Sequence, residues 1–402
     1  MSVQPPNPVV SEAQALLEPS AENVRSRTGL VRYSIALAIA GLGWIIPFTG
    51  ASGVLLPARI AEIDPENKVG IVAAVVAVGA FTAMIAAVVF GNLSDQTRSR
   101  LGRRGPWIIV GAMTAATAMF MLSTADSVPT LILWWAVYQA AQNSIAAVLI
   151  ASIPDRVPRA RRGTVSAVYG GSQLFGGTVG SIVGAAFIPD PTTGFLVLAA
   201  IVLFLPIAFP LLAPDYSNRE QERRRSSIRE IVKSFAFPRN APDFYFALAS
   251  RLVILLGFNA VAGYQLYILT DYVQLTPTEA GGIITQASLI TLVAAFVGSF
   301  VFGPLSDRIR RRKAIVMLGA VLMAGGILIL LVAAAPWAFL VFAGLAGIGM
   351  GIFLSVDAAL LSEVLPNDET RGKDLGILNL SGSAGQVLAP AVSAAIIGIG
   401  IG

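Results

Sequence analysis

Val89-Phe-Gly91-Asn-Leu-Ser-Asp95 and Val301-Phe-Gly303-Pro-Leu-Ser-Asp307 differ at one position and stand 212 residues apart. The same offset pairs Gly70 with Gly282 and Pro154 with Pro366. The chain thus reads as one unit written twice. Around both copies the sequence is apolar on every side rather than along one stripe. Of 402 residues, 55% are hydrophobic and 13% charged, and mean hydropathy is +0.74. A soluble domain carries about 25% charged residues, and a disordered chain would be polar and charge-rich. Helices apolar all round belong in lipid. Eleven runs come close to the ~20 residues a bilayer requires: 31–58, 69–92, 107–124, 128–153, 164–188, 194–213, 243–272, 280–304, 314–335, 337–364 and 374–400. The expected architecture is an all-α membrane protein of two pseudo-symmetric helical bundles. It divides into a tail 1–30, an N-terminal six-helix bundle 31–213, a linker 214–242 and a C-terminal bundle 243–402. Two such halves with a binding site near the midplane are a transporter plan. The offset carries the sixth run to a twelfth past Gly402, so the chain is either one seen without its last span, which is the expectation, or a natural eleven-span protein.

Charge sets the orientation. Of the 28 Lys and Arg residues, all but Arg59, Lys68 and Arg251 lie in the tail, in the linker, or between runs 2 and 3, 4 and 5, 8 and 9, and 10 and 11. Those segments share one side, and cations are retained in the cytoplasm. The N-terminus is therefore read as cytoplasmic and the chain as a multi-pass protein of the plasma or inner membrane. The tail holds Glu12, Glu18 and Glu22 and no apolar core ahead of Leu30, unlike a signal peptide. In the linker, Ser226 to Phe235 is either a short surface helix or a solvated tether. The net charge of +5 reports topology and contact with the lipid bilayer rather than nucleic acid. Histidine and cysteine are both absent. That removes disulfides, thiolate or histidine metal sites, serine–histidine catalysis and a histidine proton relay. With no acid cluster at a shared depth, an enzyme is not expected.

The first copy of the repeat opens a longer stretch, Gly91-Asn-Leu-Ser-Asp95-Gln-Thr-Arg98-Ser-Arg100-Leu-Gly102-Arg103-Arg104-Gly-Pro-Trp107. It resembles the G-x-x-x-D…G-R-R loop of the major facilitator superfamily. More closely, it is similar to the D-x-T-R-S-R-x-G-R-R-x-P-W form of the sucrose transporters and the glycoside–pentoside–hexuronide cation symporters. Tyr264 to Tyr272 in run 7 and Ser355-Val-Asp357-Ala-Ala-Leu in run 10 resemble that branch too, while the second copy, Gly303 to Lys313, lacks the second glycine. The resemblance covers runs 1 to 11 and implies the major facilitator fold with alternating access. The residues themselves suggest a cytoplasmic gate. Gly91 and Gly303 permit close helix packing. Asp95 and Asp307 stand at helix ends beside Arg98, Arg103, Arg104 and Arg311, where carboxylates can pair with guanidinium groups and cap a neighbouring helix. Breaking that cluster would favour the inward-open state.

Ionisable groups inside a span are functional candidates. Asp357 in run 10 and Arg251 in run 7 both lie ~12 Å from the same membrane side at 1.5 Å per residue, a depth that suits a salt bridge. Asp357 is then either a proton carrier, with Arg251 lowering its affinity for the proton, or a permanently paired anchor. Arg59 and Asp271 hold equivalent places at the outer ends of runs 1 and 7, and either latch the outer face or sit in water. Runs 2 and 4 carry no acid. In melibiose-type relatives acids there form the sodium site, so the resemblance leaves no such site here. The expectation is no cofactor, with the proton as coupling ion.

The resemblance also implies that runs 1, 4, 7 and 10, with 5, 8 and 11 beside them, line a cavity. These runs carry polar side chains that lipid would not solvate: Tyr138, Gln139, Gln142 and Asn143 in run 4, Gln173 in run 5, Asn259, Tyr264 and Gln265 in run 7, Gln286 in run 8, and Asn379 and Gln386 in run 11. Each alone can bridge helices; together they point to a wet chamber. Trp44 either stacks on a sugar ring or packs in the interior. The reading is a monomeric secondary transporter of a small-molecule substrate, importing a sugar or glycoside with protons. Two alternatives share the fold: an exporter of drugs or small metabolites, and an uncoupled sugar facilitator.

Overall fold

The computed structural model describes residues 27–215, 242–309, 312–364 and 388. Among them lie ten long helices, numbered here in chain order. The first, α1, joins Arg27–Gly50, a π-helical segment Ala51–Leu55, and Leu56–Ile63. Then follow α2 (Lys68–Gln96), α3 (Gly105–Ser123), α4 (Val128–Arg156), α5 (Arg159–Ala186) and α6 (Pro191–Leu212). The second half holds α7 (Pro242–Tyr267, prolonged by π-helical Ile268–Tyr272), α8 (Pro277–Ile309), α9 (Arg312–Val332) and α10 (Pro336–Val364). These match the first ten apolar runs to within five residues at each end. Run 11 apart from Leu388 lies outside the described residues, Asn379 and Gln386 included, as do Arg311, Pro366 and the Ser226 to Phe235 stretch.

In hydrocarbon a backbone amide finds no water, so each crossing segment must satisfy its hydrogen bonds internally, as a helix does. The ends are set by local chemistry. Proline opens α6 and stands in the first turn of α3 and α4, where the missing N–H costs nothing. Asp190 caps α6 by accepting from Thr193 N at 3.2 Å. Thr276 and Glu279 form a reciprocal box at the start of α8, with Thr276 N donating to Glu279 Oε2 at 2.9 Å and Glu279 N to Thr276 Oγ1 at 3.4 Å. The helices overrun their apolar runs where polar residues can reach water. Both copies of the repeated heptapeptide therefore sit on helix, at the ends of α2 and α8, rather than in loops.

Alternating helix direction gives two end faces. One, the basic face, carries the α2–α3 and α4–α5 connections. The other, the far face, carries α1–α2, α3–α4, α5–α6, α7–α8 and α9–α10. Packing repeats between the halves. Helix α4 packs on α2 and α3, and α10 packs in the same way on α8 and α9. Helix α1 lies along α5 and α6, and its approach to α5 is set by small residues. Gly176, Gly180 and Gly184 recur every four residues on α5, and a side chain at Gly184 would sit 2.6 Å from the Gly50 carbonyl. One at Gly180 would collide with the Ile46 carbonyl and with Thr49 Oγ1. Such contacts hold helices where lipid supplies no hydrophobic drive. In the second half Gly347 and Gly351 play this part on α10 against the Thr291 and Ala295 carbonyls of α8.

Gly180→Ala should therefore destabilise the purified protein by about 1–3 kcal/mol, read as a lowered Tm in detergent. Gly170→Ala on the same helix, where a new Cβ meets nothing within 4 Å, should leave Tm unchanged or slightly raised.

Candidate functional site

The two bundles meet on the far-face side. Gln265 Nε2 of α7 donates to the Gly53 carbonyl of α1 at 3.2 Å. These residues are 212 apart, the repeat offset itself. Equivalent positions of two related units touch only on the axis that relates them, so the pseudo-twofold axis passes here. Around it Tyr267 Oη donates to Pro57 O at 2.8 Å and Tyr264 Oη to Val69 O at 3.2 Å. Lys68 Nζ lies 2.7 Å from Asp271 Oδ2 and 4.8 Å from the Tyr267 ring centroid. To one side α5 and α8 pack closely, with Gly281 facing the Ala185 carbonyl.

The expected Arg59–Asp271 pair is not the one formed. Arg59 turns into its own bundle, donating from Nε and Nη2 to Ala125 O at 3.1 and 2.9 Å and pairing with Glu62 at 2.9 Å. Equal height on α1 and α7 put Arg59 level with Asp271, but the Arg59 side of α1 faces the end of α3. Lys68, at the first residue of α2, is the cation that reaches Asp271.

Below this seal, towards the basic face, lies a cavity of about 430 Å³, within the ~300–1,000 Å³ range of small-molecule sites. It is lined by α1, α2, α4 and α5 of the first bundle and by α7, α8 and α10 of the second. Of the polar residues expected there, Gln139, Gln173, Asn259 and Gln265 line it. The others among the described residues do not. Tyr138 is wholly buried between helices and stacks on Trp135 at 5.3 Å. Gln142 Nε2 donates to Gln139 Oε1 at 2.9 Å, and Asn143 Nδ2 to the Gln139 carbonyl at 2.8 Å, so both support Gln139 from behind. Tyr264 belongs to the far-face seal. Gln286 is exposed on α8, while its neighbours Ala287 and Ser288 face the cavity; one helical step of about 100° turns it to the outer surface. Trp44 packs inside, donating from Nε1 to Tyr169 Oη at 3.1 Å.

The lining also holds residues that counting amides overlooked. Thr49, Ser52, Thr178 and Ser181 bring hydroxyls from α1 and α5, and Ser288 and Thr291 from α8. Phe48 and Trp135, stacked at 6.5 Å and 16°, form an aromatic wall. None of the described lining side chains is charged.

Arg251 places its guanidinium 5.9 Å from the Phe353 ring centroid of α10. Asp357 follows Phe353 by four residues on the same helix, hence on the same face; its side chain lies outside the described residues, as does that of Asp307.

On the basic face the arginine loop braces one bundle. Arg104, 4% exposed, lies 2.7 Å from Asp95 and 2.8 Å from Asp155, and also donates to Ser94 Oγ. Arg103 pairs with Asp155 at 2.7 Å. Two carboxylates and a hydroxyl thus satisfy a buried guanidinium, which would otherwise be costly. Gly102 makes the turn at φ +71°, where any side chain would run into Asp215. Arg156 closes the same face on α6, donating to Ala213 O at 2.7 Å and Pro214 O at 3.1 Å. In the expected cytoplasmic gate Asp95 does pair with a guanidinium, that of Arg104, but among the described residues these contacts tie α2, α3 and α4 together within one bundle, and Arg98 is exposed. Gly91 makes no close contact, since a Cβ there meets nothing within 4 Å; Gly303 does face Ser355 of α10, at 3.4 Å. Asp155 went unrecognised because the repeat gives no hint of it: the second copy has Asn367 there.

The sequence matches the family model described as Major Facilitator Superfamily over residues 33–274 and 247–401. It is similar to Polyol transporter 5 of Arabidopsis thaliana, 34% identical over 137 residues, which is 33% of this chain and 24% of that protein. The chain thus spans about a quarter of the length of that curated relative. The fold is similar to a crystal structure of nucleoside transporter NupG in a mutant form, with TM-score 0.72 and 13% identity over 90% of this chain and 91% of that one. It is also similar to a bacterial homolog of the human lysosomal transporter Spinster, with TM-score 0.66 and 14% identity over 89% and 80% of the two chains. With the repeated helical halves, the axial contact and the shared cavity, the family match shows that this chain belongs to the Major Facilitator Superfamily.

Proposed function

We propose that the chain carries a neutral, hydroxyl-bearing small molecule, a sugar or polyol, across the membrane by alternating access. The observation that carries this reading is the cavity built by both bundles, uncharged among its described lining residues, with Gln139, Gln173 and a set of hydroxyls beside Phe48 and Trp135. Amides and hydroxyls exchange hydrogen bonds with sugar hydroxyls, and flat rings cover the apolar face of a pyranose. A buried charge would instead select an ionic solute or remain unpaired. The likeness to a polyol transporter over a third of the chain supports the same class. A cavity that touches both bundles lets one solute bias how they sit against each other.

Retention of cations in the cytoplasm supports placing the basic face inside, with the far face outside and closed by the α1–α7 seal. Transport then requires Lys68 to leave Asp271 as the bundles rock. Import coupled to protons is the second part of the proposal. Arg251 and Asp357, on facing helices a turn from Phe353, form the proton site: protonation of Asp357 frees Arg251, and deprotonation towards the cytoplasm restores the pair. Phe258, Phe339 and Phe342 on the second-bundle wall favour, as a second reading, export of a more apolar compound.

Proteoliposomes given labelled sorbitol or sucrose should accumulate it when the outside is more acidic than the inside, and only equilibrate without a gradient. Uptake indifferent to the gradient would leave an uncoupled facilitator. Efflux of an apolar dye without sugar uptake would favour the exporter. Asp357→Asn should abolish gradient-driven accumulation while preserving exchange of sugar for sugar. A variant that accumulates solute at the normal level would remove Asp357 as carrier, and a collapse of Tm would mark it as an anchor.

A further inference from the structure

The repeat that builds the two halves breaks at the chamber wall. Trp135 and Gln139, one turn apart on α4, line the cavity. At the same places on α10 stand Gly347 and Gly351, which let that helix reach the Thr291 and Ala295 carbonyls of α8. In the first half the bulk and the gap have changed helices. Thr291 of α8 corresponds to Gly79 of α2, and Gly79 makes room for α4. A Cβ added there would collide with Trp135 Nε1 and lie 2.7 Å from Trp135 Cδ1 and 3.2 Å from Gln139 Cγ. The α8–α10 seam thus closes main chain on main chain. The α2–α4 seam is wedged by two side chains that also face the chamber.

Shape alone seats the wedge. Trp135 Nε1 is buried and has no hydrogen-bond partner among the described residues, although a buried indole N–H usually finds one. No bond therefore fixes how far the ring stands out from α2. The ring stacks on Phe48 at 6.5 Å and on Tyr138 at 5.3 Å, and its Nε1 edge lies against the bare backbone of Gly79. An atom added at Gly79 must displace either the ring or α2. Helix α2 packs along α4 with Val72 and Val75 wholly buried, and withdrawing it would uncover both. The ring moves at lower cost, and the open space it can enter is the chamber it lines.

We infer that Gly79 is a positioning residue for solute selection: lacking a side chain, it seats the Trp135 indole back in the α2–α4 seam and so sets the largest solute the chamber admits. This rests on the reading of the cavity as a solute site and adds the element that sets its size limit. Gly79 touches no solute. It acts through Trp135 and, by the same contact, through Gln139.

The test is uptake by the full chain in proteoliposomes of three labelled neutral solutes of rising size: xylitol, sorbitol and sucrose. The readout is the ratio of half-saturating concentrations between the largest and the smallest solute that the unaltered chain carries. Gly79→Ala should raise that ratio about tenfold, the low end of what one carbon is worth in a packed pocket. Trp135→Phe gives the added methyl its space, so Gly79→Ala/Trp135→Phe should match Trp135→Phe alone to within about twofold. That second comparison decides the matter by itself if Gly79→Ala is too unstable to purify. An unchanged ratio in Gly79→Ala with a normal thermal transition would overturn the inference and leave the proposed function standing. So would a rise of the same size with phenylalanine at position 135, which would place the effect in helix packing rather than in the indole. Transport of none of the three by unaltered protein with a normal thermal transition would overturn both.

Discussion

The contact between Gly53 and Gln265 on the pseudo-twofold axis is the constraint from which the rest of the architecture follows. Within hydrocarbon, two bundles gain little from apolar contact, because lipid is as apolar as they are. They are held where polar groups meet polar groups, and here those groups cluster around the ends of α1 and α7. Tyr267 on Pro57, Tyr264 on Val69 and Lys68 on Asp271 surround the axial bond. Each either reaches a main-chain carbonyl or pairs a charge. The seal thus asks little of side-chain complementarity and much of helix placement.

Helix placement in turn depends on the glycines. The α5 stripe brings α1 to within main-chain distance, which positions the cavity-facing residues of both helices. On the other side of the chamber, Gly347 and Gly351 fix α10 against α8. The chamber between is what remains after two tight helix pairs are set apart around one axis. Its described lining carries no charge, consistent with the high cost of an unpaired ion at that depth. The ionised groups stand instead at the ends of the bundles, or beside α10 as Arg251 does.

The fold was legible in the sequence because lipid is a strict solvent. It demands runs of a set length, and the repeat of Val89–Asp95 at Val301–Asp307 fixed how the runs group. Rotation about each helix axis was not legible, since a helix apolar on all sides has no marked face. That is why Gln286 was expected in the cavity when Ala287 and Ser288 occupy it, and why Arg59 was matched to Asp271 when Lys68 holds it. Counting residues gives depth and leaves azimuth undetermined. Gln139, Gln173, Asn259 and Gln265 were identified because several amides on cavity-lining helices have few other places to go. Asp155 was missed for the opposite reason. It is a feature of one half alone, and a reading built on the repeat passes over what the halves do not share.

The Lys68–Asp271 pair has the same one-sidedness. Its image in the other half would join Arg59 to Ala280, which cannot form an ion pair. Among the described residues the seal therefore carries a single, partly solvated charge contact, with side chains 21% and 44% exposed. Such a pair contributes on the order of 1 kcal/mol or less, and dissolved salt screens it. The bonds to carbonyls around it are neutral and indifferent to salt. The resting equilibrium between closed and open forms of that face is thus coupled to the ionic strength of the medium bathing it, by a factor of a few, without any ion ever entering the chamber.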